Sequence, residues 1–257
     1  MGLIYKVLSS FLILGLMGSN SWLHAQESTL LRVYSSNGVK AVLEDLQPDI
    51  ERAIETTLSF EFSTSRTLAD KVESGGLFDV VILTPALIDE LIASKKVDRD
   101  SRARFSQVGV GVGSRQGTLA KSVSTLDDLR ETLLGAVSIA YGANGQSRRT
   151  NEASFATLGI TEEMQAKSRL TGPGEGPKLV AEGEVELVLT LVSELLREPG
   201  VQFLGTLPPE VQNYIQFEAA MGVAVTDSIN GKEFIRFLSS PEFSGALEKH
   251  GLEFIGQ

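Results

Sequence analysis

Leu31-Arg32-Val33-Tyr34-Ser35-Ser36-Asn37-Gly38 is a β-forming run that ends in four small polar residues and passes at once into a helical pattern. Behind it, Val39, Val42, Leu43, Leu46, Ile50, Ala53 and Ile54 recur at three and four residues, the spacing of one helix face. A strand turning straight into a helix is the unit of an open α/β sheet, whose strands present their carboxyl ends to the ligand crevice. The helix start adds free backbone N–H groups and partial positive charge. The stretch therefore reads either as one lip of an anion site or as a plain turn capped by Ser or Asn.

The same grammar continues outward. Leu58 to Phe62 alternates apolar and polar residues, a strand, and Ser63-Thr64-Ser65-Arg66 leads into a helix carrying Leu68, Ala69 and Val72. Gly75-Gly76 stops that helix, and Phe78 to Leu83, apolar after Asp79, predicts a strand buried on both faces. Pro85 suits the first turn of the next helix, which carries Leu87, Ile88, Leu91 and Ile92. Val108 to Gly113 interleaves valine with glycine and is too regular for a loop, so it is a candidate crossing between domains. Beyond it a second α/β series follows: a helix after Thr125, a strand over 136–141, a helix through Phe155 and Leu158, and a strand over 186–191. Phe217 to Val225 is apolar and reads as the return crossing, before terminal helices around Phe234 and Phe243.

The expected fold class is α/β, with two lobes, each a mostly parallel sheet flanked by helices, joined by two extended crossovers. The expected division is 27–107 plus 222–257 for the first lobe and 108–221 for the second, with hinges near 105–113 and 216–225. Residues 1–26 read as a cleavable export signal: Lys6, an apolar run from Val7 to Met17 too short to span a membrane, and Ala25 as the cleavage point.

Composition removes whole classes of function. Lys6 is the only Lys, Arg, Asp or Glu in the signal, so the remaining chain carries 22 basic and 33 acidic residues, net −11. Such a chain has no general footprint for nucleic acid or an anionic membrane, although a local site can oppose the overall sign. With no cysteine, thiol catalysis, disulfides and thiolate metal sites are excluded. Of two histidines, His24 leaves with the signal and His250 lies near the C-terminus, which argues against a Ser-His-Asp triad or a multi-histidine metal centre. No cofactor, metal or catalytic residue is expected, and the chain reads as a binding protein rather than an enzyme.

The candidate ligand residues lie at three helix starts. Ser35, Ser36 and Asn37 close the first strand, and Ser63, Thr64, Ser65 and Arg66 close the second with matching hydroxyl chemistry. Each end alone reads as a cap, but consecutive β-α units turn both toward one crevice. Arg66 suits a bidentate carboxylate contact or a surface role. In the second half, Gly145-Gln146-Ser147-Arg148-Arg149 starts a helix with arginines, which the helix dipole disfavours unless an anion intervenes. The alternative is a solvated pair or a salt bridge to Glu152. Gly172-Pro173-Gly174-Glu175-Gly176-Pro177-Lys178 lacks the Gly-Lys-Ser/Thr ending of a phosphate loop and follows no convincing strand, so it reads as a tight connection.

Several of these stretches together resemble periplasmic solute-binding proteins of the molybdate-binding type: Leu31 to Lys40, Phe60 to Leu68, Phe78 to Leu83, Val180 to Leu187, Ser193 to Leu196, Pro199 to Val201, Gly205 to Glu210 and Phe237 to Glu242. The resemblance covers nearly the whole chain after the signal. It implies a type II periplasmic binding protein fold that closes on its solute by hinge motion. It also implies a periplasmic monomer delivering a small anionic solute to the permease of an ABC-type importer. In that family a serine at each of the first two strand ends and a tyrosine of the far lobe hold the oxyanion. Here the first serine falls at Gly38, the second falls in Thr64-Ser65, and the tyrosine position falls near Thr190-Leu191, which makes Thr190 a candidate. The missing tyrosine and the nearby arginines favour an organic carboxylate. Molybdate or tungstate capture, and a sensing role in which the closed form meets a membrane receptor, are the alternatives.

Overall fold

The computed structural model describes residues 30–119, 121–225 and 228–256. The expected export signal, residues 1–26, lies outside them.

The first series builds as its periodicity predicts. Strand β1 (Leu30–Ser36) passes through a single 3-10 turn (Asn37–Val39) into helix α1 (Lys40–Ile54), β2 (Thr57–Ser63) into α2 (Ser65–Glu73), and β3 (Val80–Leu83) into α3 (Pro85–Ala93). Val42, Leu43, Ile50 and Ile54 are the buried stripe of α1. All four residues of β3 are buried, as a strand covered on both faces requires. β1 pairs in parallel with both β2 and β3, with Ser36 opposite Ser63. Below these strand ends, buried Asp79 accepts Arg32 Nε at 2.9 Å and the Arg32 amide at 2.8 Å.

The valine-glycine run is the crossing. β4 (Ala103–Val108) stays with the first sheet and β5 (Val110–Arg115) enters a second one, so the chain changes sheets at Gly109. The second series is α4 (Leu126–Gly135), β6 (Ile139–Gly142), α5 (Gln146–Leu158), α6 (Thr161–Lys167), β7 (Ser168–Thr171), α7 (Glu175–Ala181), β8 (Leu187–Leu191), α8 (Val192–Arg197) and β9 (Val201–Thr206). The chain then returns as β10 (Ile215–Met221), followed by α9 (Ser228–Phe237), α10 (Pro241–Lys249) and β11 (Glu253–Phe254).

The two sheets have the orders β11-β4-β10-β3-β1-β2 and β7-β6-β8-β5-β9. Both are mixed rather than mostly parallel. The parallel sets are β3-β1-β2 and β7-β6-β8, and the antiparallel pairs arise where β10, arriving from the second series, inserts between β3 and β4, and where β5, arriving from the first, inserts between β8 and β9. A second difference concerns the return. β10 lies inside the first sheet between β3 and β4, so residues 215–221, expected in the second lobe, belong with the first, and the return crossing falls over 207–214. Gln212 ties the two crossings: its side chain accepts from the Val110 amide at 2.9 Å and donates to the Val110 carbonyl at 2.8 Å.

Candidate functional site

The carboxyl ends of both parallel sets face a cleft of about 760 Å³ between the sheets. The first sheet contributes the ends of β1, β2 and β3 with the starts of the helices that follow. The second contributes the turns after β6 and β7 and the end of β8.

On the first wall, Ser36 Oγ accepts the Gly38 amide at 3.3 Å and keeps its own proton to donate. Thr64 caps α2, accepting the Thr67 amide at 3.2 Å. Ser65 lies behind it, buried, with no side-chain hydrogen bond among the described residues. A Cβ at Gly38 would overlap the ring of Phe217 and sit 2.9 Å from Leu191 Cδ1. The space a side chain at position 38 would take is thus occupied by an aromatic ring from β10. Phe217, Ile215, Leu87, Leu191 and Val188 give the cleft apolar surface.

The second wall is built on glycine. Gly145 (φ +97°) precedes α5 and Gly174 (φ +72°) precedes α7, both in backbone regions that favour glycine. Gln146, Ser147, Arg148 and Arg149 start α5 and line the cleft. Arg148 takes the salt-bridge alternative: its Nε meets Glu152 at 2.8 Å, and its guanidinium also donates to the Ala143 carbonyl. Arg66, across the cleft, is likewise held, in a bidentate pair with Glu90 at 2.9 Å for both contacts. That pairing raises Arg66 and holds the Glu90 carboxyl below its usual range. Arg149 is exposed and has no carboxylate partner among the described residues.

Thr190 hydrogen-bonds Glu194, which also lines the cleft from the first turn of α8. Burial pushes the Glu194 carboxyl above its ordinary range, opposed by the Thr190 contact and the charge of Arg197. The same helix joins the walls: Ser193 Oγ donates to the Gly38 carbonyl at 2.7 Å, and Arg197 meets Glu44 at 2.6 Å. Among the described residues no group of three or more His, Asp or Glu is arranged to hold a metal ion.

Ten of the twelve candidate residues therefore line one cleft: Ser36, Asn37, Thr64, Ser65, Arg66, Gln146, Ser147, Arg148, Arg149 and Thr190. Ser35 and Ser63 do not. Side chains alternate along a strand, so Ser35 turns away from its neighbour Ser36, is fully buried and donates to the Ser36 carbonyl at 3.4 Å. Ser63, last in β2, lies outside the lining. Thr84, Tyr141, Thr171 and Glu194, which the sequence does not single out, also line the cleft, as do Glu152, expected only as a salt-bridge partner, and Gly172 to Gly174, expected only as a tight connection. Gly172 to Gly174 does follow a strand, the short β7, so this segment is another strand-end turn facing the crevice.

The fold is shared with solved periplasmic binding proteins. The Azotobacter vinelandii periplasmic molybdate-binding protein superposes with a TM-score of 0.70 at 13% identity, over 88% of this chain and 98% of that one. PEB3, known from Campylobacter jejuni, superposes in its L-phospholactate-bound form with a TM-score of 0.66 at 15% identity, over 87% and 99% of the two chains. In sequence, the chain is 26% identical over 243 residues to an aconitate isomerase of Pseudomonas sp., covering 93% of both. The profile of the bacterial extracellular solute-binding proteins matches residues 31–253, from β1 to β11 and through both walls of the cleft. The chain belongs to the bacterial extracellular solute-binding protein family.

Proposed function

We propose that this protein captures a small organic anion, a carboxylate, in the cleft between its sheets and delivers it from the periplasm to an ABC-type importer. The observation that carries this reading is the convergence of helix starts on one polar cleft: the 3-10 turn that leads into α1 with α2 and α3 from one sheet, α5 and α7 from the other. Each brings first-turn N–H groups and partial positive charge to the same space. The carboxylate preference rests on the apolar surface of Phe217, Ile215 and Leu191, which suits a carbon skeleton, and on the loss of a serine position at Gly38 to the Phe217 ring. Closure of the lobes around the ligand excludes water and strengthens each contact. The test is calorimetry of the mature protein against molybdate, tungstate, sulfate and small mono-, di- and tricarboxylates. Binding confined to carboxylates is expected, and tight molybdate binding without a carboxylate response overturns the assignment.

A second reading is favoured by Glu194, a carboxyl in the cleft wall held protonated to higher pH than usual, together with the kinship to an isomerase. In that reading the bound anion is an unsaturated polycarboxylate. Glu194 takes a proton from a methylene carbon beside the double bond and returns it to the far vinyl carbon as the double bond shifts, with no change of oxidation state. Incubation with cis-aconitate followed by NMR separates the readings: conversion abolished by Glu194→Gln supports turnover, and none at high protein concentration leaves capture alone. The same substitution has a stability signature. The native state holds the Glu194 proton more tightly than the unfolded chain does. That contribution is complete below the unfolded-state pKa and lost as pH rises through the raised native one. Glu194→Gln is expected to flatten this fall in denaturation midpoint.

A further inference from the structure

Thr84 stands at the carboxyl end of β3, immediately before Pro85 and α3. Its backbone (φ −73°, ψ 150°) matches that of Thr64 before α2 (φ −70°, ψ 148°). The two hydroxyls nevertheless have different fates. Thr64 caps its helix, whereas Thr84 makes no side-chain cap, because its own carbonyl already takes the Leu87 amide at 3.0 Å. Thr84 is 5% exposed, and its Oγ1 has no hydrogen-bond partner among the described residues. Native proteins rarely leave a buried hydroxyl unpaired without a reason. Among the described residues two other buried side-chain polar atoms share that condition, Ser106 Oγ and Asn151 Oδ1, but neither residue lines the cleft. Thr84 does, beside Ala86, whose amide belongs to the first turn of α3 and has no intrahelical acceptor.

Resting on the anion-capture reading, we propose that Thr84 is a ligand-binding residue whose hydroxyl, with the Ala86 amide, forms a third subsite on the first wall, and that the ligand is an extended polycarboxylate. The strand order supplies the length argument. β3, β1 and β2 are consecutive, so the β3 and β2 ends lie two strand spacings apart, about 10 Å. A tetrahedral oxyanion is too compact to reach the β2 end at Thr64-Ser65 and the β3 end at Thr84 together. A molecule with carboxylates at both ends of a short carbon chain reaches both. Its middle crosses the β1 end, where Gly38 and the Phe217 ring present a smooth surface with no Cβ in the way.

The experiment compares wild type, Thr84→Val and Thr84→Ser, with trans-aconitate, acetate and molybdate as probes in calorimetry and thermal denaturation without ligand. Valine keeps the shape and removes the hydroxyl. The expected result is a roughly 10- to 100-fold weaker trans-aconitate affinity for Thr84→Val, recovered by Thr84→Ser, with the ligand-free melting temperature unchanged or raised because an unpaired buried hydroxyl is gone. Wild type is expected to prefer trans-aconitate to acetate and molybdate. Unchanged trans-aconitate affinity in Thr84→Val overturns the subsite and leaves anion capture standing. A Thr84→Val protein that loses affinity only in step with its melting temperature assigns Thr84 to the scaffold and overturns the subsite as well. A wild type that binds none of the three probes overturns the capture reading itself.

Discussion

The first-sheet wall meets the cleft with hydroxyls on residues that are almost buried, Ser36 at 6%, Ser65 at 9% and Thr84 at 5% exposed. The second-sheet wall meets it with glycine turns and charged side chains that stay open to solvent, Arg148 and Arg149 among them. Both walls use helix starts, but they need glycine for opposite reasons. Gly38 is required by what stands against it, the Phe217 ring. Gly145 has nothing within 4 Å of a would-be Cβ and is required by its backbone, φ +97°. The first wall is thus specified by packing and the second by turn geometry; in the proposed capture the first discriminates and the second, through Arg149, draws the anion in.

The sharpest way to break this comparison is at Gly38. Gly38→Ala forces a methyl into the Phe217 ring and Leu191 and is expected to cost about 1–3 kcal/mol of stability by overpacking, read by denaturant titration. Shrinking the ring with Phe217→Leu in the same chain should restore part of that loss, a non-additivity that marks direct contact. Gly145→Ala is expected to cost less, about 1 to 2 kcal/mol of backbone strain, and no neighbouring substitution should restore it, because no neighbour is involved. A Gly145→Ala protein rescued by trimming a nearby side chain would erase the distinction between the walls.

This distinction also explains what the sequence made legible. Period-two and period-3.6 patterning marked β1 to α3 because those elements bury one face or both. The Gly109 crossing showed because valine alternating with glycine fits neither loop nor helix. The second wall was harder. β7 is an edge strand of four residues whose Arg169 and Leu170 are exposed, so no apolar pattern marks a strand before Gly172. β10 is buried at six of its seven positions, and a strand covered on both faces carries no mark of which sheet it joins. Ser35 and Ser36 look alike as neighbours in sequence, but strand alternation sends the two to opposite faces. Thr84 was within reach: Leu83-Thr84-Pro85 is the third strand end of the same series. What no sequence shows is whether a threonine before a helix spends its hydroxyl on the cap, since that depends on which acceptor the first-turn amides have already found.

The smallest effect expected is at Arg149, and it bears on the division of labour directly. Arg148 is tied to Glu152 and the Ala143 carbonyl, and Arg66 to Glu90, so neither charge is free to steer a ligand. Arg149 has no such partner among the described residues, and the rest of the chain is strongly acidic. Arg149→Ala is therefore expected to slow association by a few fold at low salt, under about 1 kcal/mol, with dissociation and stability unchanged. Screening should cancel the difference as the Debye length shrinks to about 3 Å near 1 M salt. Stopped-flow binding at two ionic strengths reads both quantities. A faster dissociation that persists at high salt would mean that Arg149 grips the bound anion, and the second wall would then share in recognition rather than only gathering ligand for the first.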